Sequence, residues 1–175
     1  MFQVGDLIVY GGTGVCRVTK ITHPNIPGVD KTKLYYVLSP LYQDGSIYTP
    51  VDNPKVFMRP ILSKQEANAL IDQIPSLQIE SFHSPILSEL SQHYNKALNS
   101  HQCSDLIELT MSIYAKRQTA QEQKKKFGTV DEKYMKRAEE LLFSELAAAL
   151  GIQKEDVPSY ISTRVAAHTE GSDSM

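Results

Sequence analysis

The stretch VGDLIVYGGTGVCRV, Val4 to Val18, packs Gly11, Gly12 and Gly14 into a cluster of the kind that can cradle a phosphate. A hundred residues on, His101-Gln-Cys103 places an imidazole beside a thiol, the pairing that nucleophilic catalysis uses. Further along, Lys116, Arg117, Lys124, Lys125, Lys126, Lys133, Lys136 and Arg137 form a basic block that could follow a phosphate backbone. Each of these chemistries makes a demand on its surroundings.

A phosphate loop needs a helix directly after it, so that free N–H groups and the helix dipole face the anion. Gly14 is followed by Val15-Cys16-Arg17-Val18-Thr19, a β run, and the string has neither the Lys-Ser/Thr of a P-loop nor the spacing of a dinucleotide fold. Glycines between two strand-like runs supply positive φ in a tight connection, and that is the reading adopted. Nothing around Cys103 favours an activated thiolate, and His83, His93 and His101 are too sparse for a metal site. No catalytic residue, metal or cofactor is expected, and no small-molecule substrate; a small hydrolase with Cys103 as nucleophile is the minor alternative.

The basic block stands out against its background. The net charge of the whole chain is −2. Residues 1–62 carry +2, residues 63–115 carry −4, residues 116–137 carry +5 and residues 138–175 carry −5. Such a block is either a solvated face, with the lysine triplet complementing a helix C-terminus, or a weak phosphate-contacting surface.

The elements that must position these residues fall into two halves. Up to about Ile61 the pattern is β, with short runs rich in Val, Ile and Tyr at Leu7–Tyr10, Val15–Ile21, Leu34–Leu41, Ser46–Val51 and Val56–Met58. Turn formers divide them at Gly11–Gly14, Asn25–Asp30, Asp44-Gly45 and Asn53-Pro54, Asp44-Gly45 reading as a tight hairpin. Five strands at this spacing predict a small SH3/Tudor-like β-barrel.

Beyond Pro60 the period is helical. Ser63-Lys-Gln-Glu66 is a capping box opening a helix that Pro75 ends. Ser84-Pro85 reads as N-cap and first turn of a second helix, with Ile86, Leu87, Leu90, Tyr94, Ala97 and Leu98 as its stripe. A third helix runs from near Ser104 to the Lys124–Lys126 triplet. Thr129-Val-Asp-Glu132 opens a fourth that ends at Leu150-Gly151, and a shorter one spans about Lys154–Ala166. The expected class is α+β in two domains, a β-barrel over 1–62 and an all-α domain over 63–165, with a flexible tail over 166–175.

A hydrophobic fraction of 41% with 22% charged residues is that of a globular chain. No apolar run reaches membrane-spanning length, and the opening MFQVGD lacks the regions of a signal peptide, so no membrane partner and a cytoplasmic location are expected. In a reducing compartment Cys16 and Cys103 are expected as free thiols.

The order of these motifs resembles the CarD/CdnL family of bacterial RNA polymerase-binding transcription regulators, whose N-terminal module is shared with the transcription-repair coupling factor. The matching segments are Phe2–Tyr10, Gly14-Val15 and Thr49–Asn53, followed by Leu90-Ser-Gln-His-Tyr94 and by Arg137-Ala with Leu142, Glu145, Leu146 and Ala147. The resemblance implies a barrel that docks on the polymerase β subunit by strand pairing, and a helical module that stabilises the opened promoter. The position matching the family's minor-groove tryptophan is Leu90, and the chain contains no tryptophan.

Three sets of site candidates follow. Ile47, Tyr48, Thr49 and Pro50 form either an exposed edge strand for polymerase or a covered one. Leu90 is either a minor-groove wedge or a core residue, with His93 beside it. Lys124, Lys125, Lys126, Lys133 and Arg137 are the candidate contacts for promoter DNA, weak and without sequence specificity. A polymerase-docking adaptor that leaves DNA alone is the alternative.

Overall fold

The computed structural model describes the backbone of residues 1–52 and 54–173, with side chains as far as Thr169. The turn expected at Asn53-Pro54 therefore lies partly outside the described residues. The chain divides into two compact units, Met1–Leu62 and Ser63–Met175.

In the first unit β1 (Leu7–Tyr10), β2 (Gly14–Thr22), β3 (Tyr35–Pro40), β4 (Ile47–Pro50) and β5 (Met58–Pro60) form an antiparallel sheet in the order β4-β3-β2-β1-β5. The closed barrel expected from strand spacing is not formed: no ladder joins β4 to β5 among the described residues, and the sheet is open. Both edge strands end on a proline, which cannot donate to a closing ladder, and β5 is only three residues long.

One face of the sheet is the core. Ile8, Cys16, Val18, Tyr36 and Leu38 are buried together, with Phe2, Tyr10, Ile21, Ile47, Val51 and Met58 packed around them. Val18 and Ile21 both reach this face because the β2–β3 register shifts between Val18 and Lys20. The extra residue resets the alternation, as a β-bulge does.

The glycine cluster turns a strand. Gly11–Thr13 form a single 3₁₀ turn between β1 and β2, with φ of 44° at Gly11 and 94° at Gly14. Gly11 also donates to the Phe57 carbonyl at 2.8 Å, and a Cβ there would meet Val56 Cγ1 at 2.5 Å, so only glycine fits. The Asp44-Gly45 hairpin is looser than expected: Leu41–Ser46 connect β3 to β4, and Leu41 N–H is still held by the Val15 carbonyl at 3.1 Å.

The second unit contains α1 (Lys64–Gln73), α2 (Leu87–Leu98), α3 (Cys103–Glu122), α4 (Thr129–Leu150) and α5 (Val157–Asp173). The Ser63–Glu66 capping box closes in both directions at 3.0 Å. Helix α4 packs against each of the other four and buries Tyr134, Met135, Ala138, Leu142, Leu146 and Leu150. Gly151, at φ 70°, ends it in the left-handed conformation that favours glycine.

Several boundaries differ from expectation. Helix α2 starts at Leu87, not Pro85, because Ser84 Oγ turns to accept from Ile86 N–H and donate to Glu89. Helix α3 stops at Glu122, short of the lysine triplet. Helix α4 is capped by Gly128 without a side-chain bond, so Thr129 and Glu132 form no capping box. Helix α5 continues past Ala166 to Asp173, where a flexible tail was expected. It is tied to α1 by Arg164, which holds Asp72 through two bonds of 2.7 and 2.9 Å, and by Tyr160 donating to Asn68 at 2.6 Å. No helix among the described residues is long and apolar enough to cross a membrane.

Candidate functional site: an open strand edge

Strand β4 is one edge of the sheet, paired on a single side to β3 through Leu38↔Ile47, Val37↔Tyr48, Tyr36↔Thr49 and Tyr35↔Pro50. In an antiparallel pair, bonded and non-bonded residue pairs alternate. Val51 N–H donates to the Leu34 carbonyl at 3.0 Å, which fixes the phase. Thr49 and Ile47 then face β3, while the N–H and C=O of Tyr48 point away from the sheet. Pro50, in the same phase as Tyr48, has no N–H to lose. Side chains sort the other way: Thr49 is buried, Ile47 packs on the core, and Tyr48 is 44% exposed.

The opposite edge has been blunted. There Ile61 N–H donates to the Leu7 carbonyl and Gly11 N–H to the Phe57 carbonyl, so Met58 and Pro60 are the outward residues of β5. Pro60 offers only a carbonyl, and the Arg59 guanidinium covers it at 3.0 Å. Charge and proline are the devices by which proteins protect an edge. Strand β4 carries no charged residue. Of the two edges, β4 is the one left available for a further strand.

The helical candidates are distributed differently. Leu90 is 5% exposed, in the stripe with buried Tyr94, so it is a core side chain and does not present a wedge. The exposed apolar residues of that stripe lie one turn earlier, at Ile86 and Leu87. His93 lies at the surface, its ring stacked on Phe82 with centroids 3.9 Å apart. Desolvation, with Lys96 and Lys116 nearby, lowers its pKa, which disfavours the cation that would pair with a phosphate.

The basic block separates into buried and exposed parts. Lys116 is withdrawn into the unit: its Nζ donates to Asp131 at 2.9 Å, to the Phe82 carbonyl at 3.0 Å and to the Tyr94 hydroxyl at 3.2 Å. The Tyr94 hydroxyl in turn donates to Asp131 at 2.5 Å, and burial with that carboxylate pushes the Tyr94 pKa up. Lys136 pairs with Glu132 at 3.3 Å, and Arg117 lies 5.1 Å from the Tyr114 ring centre. Lys124, Lys125 and Lys126 are exposed beyond the end of α3. Lys133 and Arg137, also exposed, stand one turn apart on α4, Lys133 Nζ at 5.9 Å from the Tyr134 ring. Lys124 holds φ at 56°, a conformation glycine usually takes at a helix end.

The Lys116–Asp131–Tyr94 network went unread in the sequence. Its signal is that Asp131 continues the apolar series Tyr134, Met135, Ala138, Leu142 on α4, and a carboxylate on such a face needs a partner. Cys103 is buried with its Sγ donating to Glu145 at 3.0 Å, and burial raises the Cys16 thiol to about 11, which disfavours the Cys16 thiolate. Among the described residues no group of three or more His, Cys, Asp or Glu could hold a metal ion.

Residues 2–62 match the family model of the CarD-like/TRCF RID domain, which is an RNA polymerase β-interacting domain. The match covers the first unit almost from end to end. No curated protein matches the chain.

Proposed function

We propose that this protein is a non-enzymatic transcription regulator of the bacterial cytoplasm that docks on the RNA polymerase β subunit through the β4 edge. The observation carrying this reading is the contrast between the two edges of a CarD-like/TRCF RID domain. β5 is blunted by Arg59 and Pro60, while β4 points the Tyr48 N–H and C=O outward beside an exposed ring. A strand of the β subunit would extend the sheet there, its main chain supplying affinity and the flanking side chains specificity.

In this reading the helical unit acts on promoter DNA, holding it open for longer. Lys124, Lys125, Lys126, Lys133 and Arg137 are the groups that would touch phosphates, weakly and without reading sequence. Leu90 takes no part, being core.

An adaptor that binds polymerase but leaves DNA alone is the second reading, favoured by the burial of Leu90 and the lowered pKa of His93. The test is a pull-down of the full chain with purified RNA polymerase, followed by open-complex lifetimes on one promoter. Docking with a longer lifetime supports the first reading. Docking with an unchanged lifetime selects the adaptor, and failure to dock removes both.

A further inference from the structure

The sheet face flanking the β4 edge has a charge character that the strand edge does not explain. Residues paired across neighbouring strands share a face. Lys20 pairs with Val37, and Val37 pairs with Tyr48, so Lys20, Val37 and Tyr48 form one row across β2, β3 and β4. The neighbouring row is Leu7, Arg17 and Ser39 across β1, β2 and β3. Tyr48, Lys20 and Arg17 are all exposed. Two strand spacings, about 10 Å, separate Lys20 from Tyr48.

Of the four acidic residues of this unit, Asp44 and Asp52 lie before and after β4, and Asp6 and Asp30 are occupied within their own turns. Asp6 accepts from the Gln3 N–H at 2.8 Å, and Asp30 accepts from Thr32 N–H and Oγ1 at 2.9 and 2.6 Å. Among the described residues Arg17 donates to the Gly5 carbonyl, at 3.5 Å. Val37, between Lys20 and Tyr48, is buried, so the exposed groups of this face are the aromatic at the open edge and the cations Lys20 and Arg17 behind it, a set complementary to negative charge.

Resting on the docking reading above, we infer that the surface recognised at this edge is acidic: a docking strand accompanied by a carboxylate-bearing segment that lies over the outer sheet face, against Lys20 and Arg17. The carboxylates belong to that accompanying segment, not to the strand itself. An added strand sits beyond β4, three spacings or about 15 Å from β2, out of reach of a direct ion pair with Lys20. Charges at the rim of an interface act on association rate and on salt dependence more than on the strength of the closed contact.

The experiment measures binding of the full chain to purified RNA polymerase at low and high salt. It compares the natural protein, Arg17→Glu/Lys20→Glu, Lys20→Glu alone, Arg17→Lys/Lys20→Arg and Tyr48→Pro, each checked for an unchanged melting temperature. The double reversal is expected to weaken binding about tenfold at about 50 mM salt, through a slower on-rate, and by less than about twofold at about 0.5 M, where screening is strong. Lys20→Glu gives the same trend at a smaller size, and the charge-conserving pair binds as the natural protein does. If Tyr48→Pro abolishes binding while the double reversal binds at full strength at low salt, docking at β4 stands and the acidic surface is overturned. If the natural protein does not bind polymerase at all, the docking reading falls and this inference with it.

Discussion

The two units place their polar chemistry in opposite directions. The β unit has an apolar core of Ile8, Cys16, Val18, Tyr36 and Leu38 and leaves its polar potential at the surface, in the outward main chain of Tyr48 and the cations Arg17 and Lys20. The helical unit turns its polar groups inward. Lys116, Asp131 and Tyr94 bond to one another, Cys103 bonds to Glu145, and Tyr114 donates to Glu139. A charge in the helices is thus a poor guide to function, because many of those charges hold helices together. In the β unit the exposed Tyr48 sits on a strand edge paired on one side only, and the partner proposed for that edge lies outside the chain.

That contrast can be broken or sharpened by substitution. The largest effect is expected from Asp131→Ala, which strands the half-buried Lys116 ammonium and the buried Tyr94 hydroxyl. Loss of one partner of a buried pair should cost about 3–5 kcal/mol, read from denaturant unfolding. A loss below about 1 kcal/mol would show that the network is solvated rather than structural. Leu90→Ala should follow, at about 2–5 kcal/mol, as a core truncation. A near-unchanged melting temperature combined with a shorter open-complex lifetime would instead restore Leu90 as a DNA wedge.

Tyr48→Ala belongs to the other unit and should behave in the opposite way. Stability should shift by no more than about 0.5 kcal/mol, as for other surface sites. Polymerase affinity should fall about tenfold, as expected for an interface aromatic. Converting Lys124, Lys125 and Lys126 to glutamine should have a smaller effect, seen only in salt dependence. If three to five basic groups neutralise phosphates, log K against log salt slopes by about −3 to −5, and the triple change reduces it by up to about 3. A slope near zero in the natural protein would leave the adaptor reading alone.

The smallest effect concerns the α1–α5 clasp. Arg164 bonds Asp72 and holds its carboxyl below the ordinary carboxylate range. A group whose folded pKa is depressed stabilises the fold above its unfolded value, near about 4, and loses that contribution as pH falls through the folded one. Asp72→Asn should therefore flatten the dependence of stability on pH below about 4 and leave the slope between about 6 and 8 unchanged. Equal slopes in both proteins below about 4 would show that the clasp contributes nothing.

Much of the β unit was legible because its signals are local. Strand runs, the Gly11–Gly14 turn and the edge candidate Ile47–Pro50 depend on residues close in sequence, and the structure places them within a few positions of the expected bounds. Closure was not legible. Whether β4 meets β5 is settled by long-range pairing, and the prolines at their ends gave the one hint. In the helical unit Ser63–Glu66 and Gly151 were readable caps, while Ser84 misled because its hydroxyl serves a turn before the helix begins. Lys116 was counted as a surface charge because its partner Asp131 is on another helix and Phe82 in an irregular segment. The residues forming the edge could be named from sequence; their phase, which decides that Tyr48 points outward, needed the Leu34–Val51 bond.

The most direct test of β4 docking is Tyr48→Pro in the full chain, assayed for binding to purified RNA polymerase. The substitution removes an N–H that faces away from β3, so it takes nothing from the sheet's own ladder. A protein that melts as before but no longer binds polymerase is the predicted result. A folded Tyr48→Pro protein that binds polymerase at full strength would contradict docking through this edge.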